Sequence, residues 1–148
     1  MKKKIVYIDL DNTLADYMGE AQRLHIDPKE AKHVKGFFRN LQPLPKAVES
    51  YNKLTEHFDV YILSTAPWSN PNSLVEKMEW VKEHFPTAHK NVIFSHRKDL
   101  NIGDYLIDDL LKNGADKFTG EHIQIGTERF PDWDTVLTYI FDKENINR

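Results

Sequence analysis

The sequence predicts an α/β protein built around one parallel sheet of five strands. Two features of the chain indicate this architecture. Five short segments are rich in β-branched and aromatic residues, as strands are, and segments with helical spacing of apolar residues lie between several of them. Strands that alternate with helices are typical of a parallel sheet, because each helix carries the chain back to the start of the next strand.

The predicted strands are short and apolar. They cover IVYI at 5–8, VYIL at 60–63, VIF at 92–94, YLI at 105–107 and HIQI at 122–125. The first is an unbroken apolar run, which is the pattern of a strand that is covered on both of its faces. It is therefore predicted to be a central strand of the sheet.

Three helices are predicted from apolar residues at helical spacing, over Ala47 to Phe58, Leu74 to Phe85 and Trp133 to Ile140. The predicted apolar face of the second helix has four members: Leu74, Met78, Val81 and Phe85. Ser73 and Glu76 have the spacing of a capping box, in which both side chains bond to backbone N–H groups of the first turn. The second helix is therefore predicted to begin at Ser73.

The segment of about residues 16–44 interrupts the alternation of strands and helices. It has no strand pattern, while Asp27 followed by proline predicts a helix start and Gly36 predicts a helix end. Asp16 is predicted to cap a local turn or helix rather than to bind a ligand. The segment is therefore predicted to be a small helical insertion after the first strand.

Composition narrows the range of functions. The formal net charge is −3 and the pI is ≈ 6.1, so we expect neither a nucleic-acid polymer nor an anionic membrane surface as a partner. The absence of cysteine excludes disulfides, zinc–thiolate sites and thiol catalysis. Asp9 ends the first apolar run before it reaches the length of a signal peptide, and no apolar stretch approaches the ~18 residues of a membrane span. We expect a cytoplasmic globular protein, of unassigned oligomeric state, that acts on a small molecule.

Polar side chains follow the ends of several predicted strands. There are seven of them: Asp9, Asp11, Ser64, Thr65, Lys98, Asp108 and Asp109. The carboxyl ends of parallel strands meet at one edge of a sheet, and ligands of open parallel sheets bind at that edge. The sequence therefore predicts one site that brings all seven together.

The four aspartates of this set require a positive partner. Two like charges ~4 Å apart repel by about 4 kcal/mol at an effective dielectric constant of roughly 20, and one lysine does not offset four carboxylates. A cluster of oxygen ligands without histidine or cysteine suits Mg²⁺, which typically binds one or two carboxylates together with phosphate oxygens. Lysine and hydroxyl groups beside such a metal bind phosphate. The pattern predicts metal-assisted phosphoryl transfer.

Four short motifs in this chain resemble those of the haloacid dehalogenase superfamily. DLDNT at 9–13 is similar to its DxDxT motif, Ser64 to its second motif, Lys98 to its third and LIDD at 106–109 to its fourth. Longer stretches resemble the 5′(3′)-deoxyribonucleotidase family within it. These stretches are DLDNTLADY, FFRNLQPLPKAVES, WVKEHF and HRKDLNIGDYLIDD, with PDWDTVL similar to the closing helix of that family.

The resemblance implies a fold and a metal site. It implies a single three-layer Rossmann-like domain over residues 1–148, with strand order 3-2-1-4-5 and a small helical cap inserted at about 16–44. It also implies Mg²⁺ held by the carboxylates of Asp9 and Asp108 and the backbone carbonyl of Asp11, with Asp109 holding a coordinated water.

The resemblance further implies roles in catalysis and in substrate binding. Asp9 is expected to attack phosphorus, and Asp11 to act as general acid and then as general base. Ser64, Thr65 and Lys98 are expected to bind the phosphate of a (deoxy)nucleoside monophosphate. The nucleobase is expected to meet Tyr17, with either Phe37 or Phe38 as a second wall of the site.

Several alternatives remain open at the level of the sequence. Arg97 rather than Lys98 could bind the phosphate, and Ser64 could merely cap a helix. A sugar phosphate could be the substrate. A receiver-like signalling module also combines acids, a hydroxyl, a lysine and Mg²⁺ on a parallel sheet. However, a receiver carries its phosphoacceptor on the third strand, and the third strand here ends in Ser95 with no aspartate.

Overall fold

The computed structural model describes residues 2–147 and contains one five-stranded parallel sheet with the order β3-β2-β1-β4-β5. The strands are β1 (Ile5–Ile8), β2 (Asp59–Ser64), β3 (Val92–Phe94), β4 (Tyr105–Asp108) and β5 (Glu121–Gln124). The predicted α/β architecture and strand order are confirmed. The fifth strand lies one residue earlier than its predicted bounds of 122–125.

β1 is the central strand, as its unbroken apolar run predicts. Val6 pairs with Val60 of β2 on one side and with Tyr105 of β4 on the other. Val6 and Ile8 have no exposed surface. Because all pairs are parallel, the ends of β2 and β4 flank the end of β1, where the predicted polar residues lie.

The helices are α1 (Tyr17–Arg23), α2 (Pro28–Ala31), α3 (Ala47–Thr55), α4 (Asn72–His84) and α5 (Trp133–Lys143). Short 3₁₀ turns cover Phe38–Asn40, Pro86–Ala88, Lys98–Leu100 and Ala115–Lys117. Helix α5 begins where the side chain of Asp132 accepts a hydrogen bond from the backbone N–H of Thr135. Among the residues described, no helix is long and apolar enough to span a membrane.

The two faces of the sheet are covered unequally. Helices α3, α4 and α5 pack on the face that carries Val6 and Ile8. The opposite face carries a smaller cluster around Tyr7 and Leu106, which Ala115 and Phe118 cover from a 3₁₀ turn and its neighbourhood. The third layer is therefore formed by short turns and loops.

Helix α4 departs from its prediction in two ways. The capping box is wrong: the Ser73 hydroxyl donates to the backbone carbonyl of Asn70, and Glu76 binds elsewhere. Val81 and Phe85 of the predicted apolar face are buried, but Leu74 is 41% exposed, and the helix also buries Ser73, Lys77 and Trp80. The helix is rotated because it packs against the insertion as well as against the sheet, and Trp80 donates its indole N–H to the carbonyl of Leu41 in that insertion.

Two backbone hydrogen bonds join the chain at the start of the insertion to the chain at its end. The N–H of Leu44 donates to the carbonyl of Leu14 at 2.8 Å, and the N–H of Asp16 donates to the carbonyl of Gln42 at 2.8 Å. The Asp16 carboxylate accepts from the N–H of Gly19 and caps α1, as predicted. These contacts fix where the insertion emerges beside the end of β1.

Candidate active site

Asp9 lies directly after the last residue of β1 and continues its pairing with β4. Its N–H donates to the carbonyl of Ile107 at 2.9 Å, and the residue is 7% exposed. One carboxylate oxygen accepts from Lys98 Nζ at 2.9 Å and the other from the Thr13 hydroxyl at 3.3 Å. Burial alone raises the pKa of Asp9, but the charges of Lys98 and Lys77 outweigh burial and hold this pKa below its ordinary value.

A tight loop after Asp9 holds the first motif in place. The N–H groups of Thr13, Leu14 and Ala15 all point to the carbonyl of Leu10, at 2.8 to 3.1 Å. Asn12 adopts a left-handed conformation with φ of 59°, which asparagine tolerates better than most residues. The loop therefore turns the chain sharply at the end of the sheet.

Lys98 bridges the ends of β1 and β4. Its ammonium lies 2.9 Å from Asp9 Oδ1 and 2.7 Å from Asp108 Oδ2, and the residue is 3% exposed. Burial lowers the pKa of a lysine, but the two carboxylates outweigh that effect and raise it above its usual value. Arg97 instead forms an exposed ion pair with Asp99 at 2.8 Å. This geometry favours Lys98 over Arg97 as the cation of the site.

The carboxylates of Asp9, Asp108 and Asp109 form one cluster. Each offers an oxygen atom, and these atoms lie within 4.8 Å of one another. Burial and the charge of Asp9 raise the pKa of Asp108 to about 6 and that of Asp109 to about 9. The raised pKa values reflect burial and the repulsion among carboxylates beside a single lysine, and the all-oxygen composition of the cluster fits a hard divalent cation.

Asp11 is oriented away from this cluster, toward a lysine that the sequence analysis missed. Lys77 of α4 is 2% exposed and donates to Asp11 Oδ2 at 2.8 Å, to the Ser64 hydroxyl at 3.0 Å and to the carbonyl of Thr65 at 3.2 Å. Burial and the charge of Asp9 raise the pKa of Asp11, while Lys77 opposes the rise. No spacing within α4 could have identified Lys77, because its partners lie 12 to 66 residues away along the chain.

The two predicted hydroxyl groups occupy different places. Thr65 lines the cavity of the site, and its hydroxyl donates to the carbonyl of Ser95 at 2.7 Å. Ser64 is completely buried, and its hydroxyl accepts from Lys77 behind the cavity wall. It caps no helix, because α4 begins eight residues later, at Asn72.

A cavity of about 190 Å³ opens over these groups. Most of the predicted residues line it: Asp9, Asp11, Tyr17, Thr65, Lys98, Asp108 and Asp109. Its remaining wall comes from Asn12 and from Leu110, Lys112 and Asn113 in the loop after β4, which the sequence analysis did not single out. Nine of its eleven lining residues, all but Tyr17 and Leu110, carry polar or charged side chains, as expected of a site for a small anionic ligand.

Of the three aromatic residues predicted to bind substrate, only Tyr17 reaches the cavity, and the other two lie behind it. Tyr17 lines the cavity, and its hydroxyl donates to the carbonyl of Pro28. Phe37 and Phe38 are each 2% exposed and pack against Tyr17, with ring centroids at 4.8 and 5.9 Å. They lie outside the cavity wall because the backbone of their segment is bound to α4, which directs both rings into the core. Both therefore support Tyr17 rather than form a second wall.

Comparisons with known proteins agree on one family. The model of the family described as 5′ nucleotidase, deoxy (Pyrimidine), cytosolic type C protein matches residues 29–132. A protein of Vibrio phage KVP40 that is inferred to be a 5′(3′)-deoxyribonucleotidase is 47% identical over 144 residues, or 93% of this chain and 85% of the phage protein. A Staphylococcus aureus protein with the same inferred activity is 34% identical over 178 aligned positions, covering 96% of this chain and 98% of its own length.

Solved structures of haloacid dehalogenase hydrolases share the fold. A magnesium-bound hydrolase of Bacillus subtilis has a TM-score of 0.60 at 11% identity and covers 89% of this chain and 90% of its own. A hydrolase of this superfamily from Ehrlichia chaffeensis has a TM-score of 0.57 at 15% identity, with 96% and 98% covered. At such low sequence identities, the similarity to these two structures shows a shared fold and nothing about substrate.

Proposed function

The chain belongs to the 5′ nucleotidase, deoxy (pyrimidine), cytosolic type C family within the haloacid dehalogenase superfamily, and we propose that it is a Mg²⁺-dependent 5′(3′)-deoxyribonucleotidase that acts through an aspartyl-phosphate. Membership makes it a phosphoric monoester hydrolase. One observation carries the mechanism: Asp9 lies at the floor of the cavity, between Lys98 and two further carboxylates.

In the first step an oxygen of the Asp9 carboxylate attacks phosphorus, and the bond between phosphorus and the ester oxygen breaks. Asp11 in its protonated form gives its proton to that oxygen, so the nucleoside leaves as an alcohol. Burial and the charge of Asp9 raise the pKa of Asp11, which is the direction that a general acid requires. The product of this step is a phosphorylated Asp9.

In the second step water attacks the phosphorus of the acyl phosphate and Asp11 accepts its proton. The bond between phosphorus and the Asp9 oxygen breaks, which frees inorganic phosphate and restores both aspartates. Lys98 uses two donors on Asp9 and Asp108, and its third is available for a phosphate oxygen. Mg²⁺ held by the carboxylates of Asp9, Asp108 and Asp109 would supply positive charge that offsets the repulsion between the anionic nucleophile and the phosphate dianion.

The substrate class follows from what surrounds the cavity. A volume of about 190 Å³ suits a phosphate group and its metal, so the nucleoside extends toward the opening. Tyr17 of the insertion lines the cavity and offers an aromatic surface to a base. We propose (deoxy)nucleoside monophosphates as substrates on this basis, with a sugar phosphate as the second candidate.

A phosphate-release screen with Mg²⁺ tests this function. We expect repeated turnover of deoxynucleoside monophosphates by the wild-type chain and none by Asp9→Asn. Far better hydrolysis of sugar phosphates than of any nucleotide would remove the nucleotidase assignment and leave a general phosphatase. A single phosphoryl uptake per chain, followed by slow loss, would indicate a receiver-like module instead.

A further inference from the structure

Lys77 is a buried cation that belongs to none of the four sequence motifs. Its ammonium has three donors and three acceptors: Asp11 Oδ2, the Ser64 hydroxyl and the Thr65 carbonyl, at 2.8 to 3.2 Å. The ring of Phe38 covers it, with its centroid 4.7 Å from Nζ. The ammonium is therefore fully coordinated, and its position is fixed from three directions.

Stability alone does not account for a lysine at this position. Removing two charges from water costs several kcal/mol per ion, and replacing both members of a buried ion pair by apolar residues of similar volume is often neutral or stabilising. What Lys77 adds is a fixed contact to one oxygen of an active-site carboxylate.

That contact leaves the other oxygen of Asp11 available. Among residues 2–147, the hydrogen bond from Lys77 is the only one that the Asp11 carboxylate makes. Asp11 lines the cavity, whereas Lys77 does not. The lysine therefore holds Oδ2 from behind the wall, while Oδ1 accepts no hydrogen bond from residues 2–147.

We propose that Lys77 is a positioning residue that fixes the Asp11 carboxylate for proton transfer to the leaving oxygen. The inference rests on the proposed function, since it concerns the acid of that reaction. A general acid contributes typically 10²- to 10⁴-fold, and a displacement of about 1 Å can cost 10²-fold. Losing Lys77 should therefore lower kcat/KM most for the substrates whose leaving group most needs a proton.

Substituted phenyl phosphates test this dependence without involving base recognition. p-Nitrophenolate leaves readily as an anion, whereas phenolate and the alkoxide of a nucleoside need a proton. In Lys77→Met we expect kcat/KM to fall about 10- to 100-fold for phenyl phosphate and for nucleotides, but less than about 3-fold for p-nitrophenyl phosphate. The control is Lys82→Met, the same change at an exposed lysine of α4, which should leave every substrate unchanged.

A second comparison separates positioning from loss of structure. In an Asp11→Asn background Lys77→Met should have little further effect, because the group that it positions no longer donates a proton. If Lys77→Met does not fold, Lys77→Gln is the substitute, because glutamine keeps a hydrogen-bond donor. We expect the same pattern across leaving groups for Lys77→Gln, with smaller losses in kcat/KM.

Failure of the proposed role of Lys77 and failure of the proposed function would give different experimental results. An equal loss on all leaving groups, or no loss on any, would overturn the role of Lys77 while the wild-type activity stands. A wild-type chain with no phosphatase activity would overturn the proposed function and this inference together.

Discussion

Glu76 holds the insertion onto α4, and replacing it tests how the cap is anchored. Its carboxylate accepts from the backbone N–H groups of Gly36 and Phe38 at 3.1 Å and of Arg39 at 3.4 Å. Hydrogen bonds to a charged group contribute about 1.5–3 kcal/mol each, but Glu76 is only half-buried and water can replace some of them. We therefore expect Glu76→Ala to lower the free energy of unfolding by about 2–4 kcal/mol.

The measurement is denaturant and thermal unfolding of the variant beside a matched control. For a chain of this size 2–4 kcal/mol corresponds to a Tm lower by roughly 5–15 °C. The control is Glu79→Ala on the same helix, where the carboxylate is 57% exposed and lies 3.7 Å from Arg39 Nε. Exposed pairs contribute about 0–1 kcal/mol, so its Tm should hardly move. Equal losses in the two variants would refute the anchoring role of Glu76.

Three further predictions concern the reaction itself. Tyr17→Ala should raise KM for nucleotides about 5- to 100-fold, from a stacking energy of roughly 1–3 kcal/mol, and leave p-nitrophenyl phosphate unaffected; a parallel change for both would contradict base stacking. Lys98→Met should lower kcat by at least about 100-fold because Asp9 and Asp108 lose their shared cation, whereas Arg97→Met should have little effect; the reverse would move the role to Arg97. Excess chelator should abolish phosphate release and Ca²⁺ should not restore it, because its larger and looser coordination shell misplaces the nucleophile; full activity in chelator would exclude the metal requirement.

The strands and the edge that carries the site could be predicted because both depend on local patterns. An apolar run such as residues 5–8 must be covered by neighbours wherever it lies, so its place in the middle of the sheet follows from its composition. Parallel pairing then brings Asp9, Asp108 and Lys98 to one edge, whatever the helices do. The starts of α1 and α2 could also be predicted, since Asp16 and Asp27 are local capping residues.

Helix α4 is the element whose local pattern misled the prediction. Leu74, Met78, Val81 and Phe85 share one face, and apolar spacing alone makes that face the buried one. The structure buries Val81 and Phe85 of that face but leaves Leu74 41% exposed. It also buries Lys77, whose charge is matched by Asp11, 66 residues away along the chain. A buried lysine is stable only beside such a partner, and no periodicity within the helix reports one.

The same limit applies to Glu76 and to the paired phenylalanines. Ser73 and Glu76 fit a local capping box, but the Glu76 carboxylate binds the backbone of the insertion, 37 to 40 residues earlier in the chain. That contact in turn directs Phe37 and Phe38 under Tyr17. Hydrophobic spacing and capping residues act over one or two turns, so the strands and the catalytic edge follow from the amino-acid order. The partners of long polar side chains such as Lys77 and Glu76 are brought together only in the folded chain. Their contacts fix the residues behind the cavity wall, so this part of the site depends on the tertiary structure.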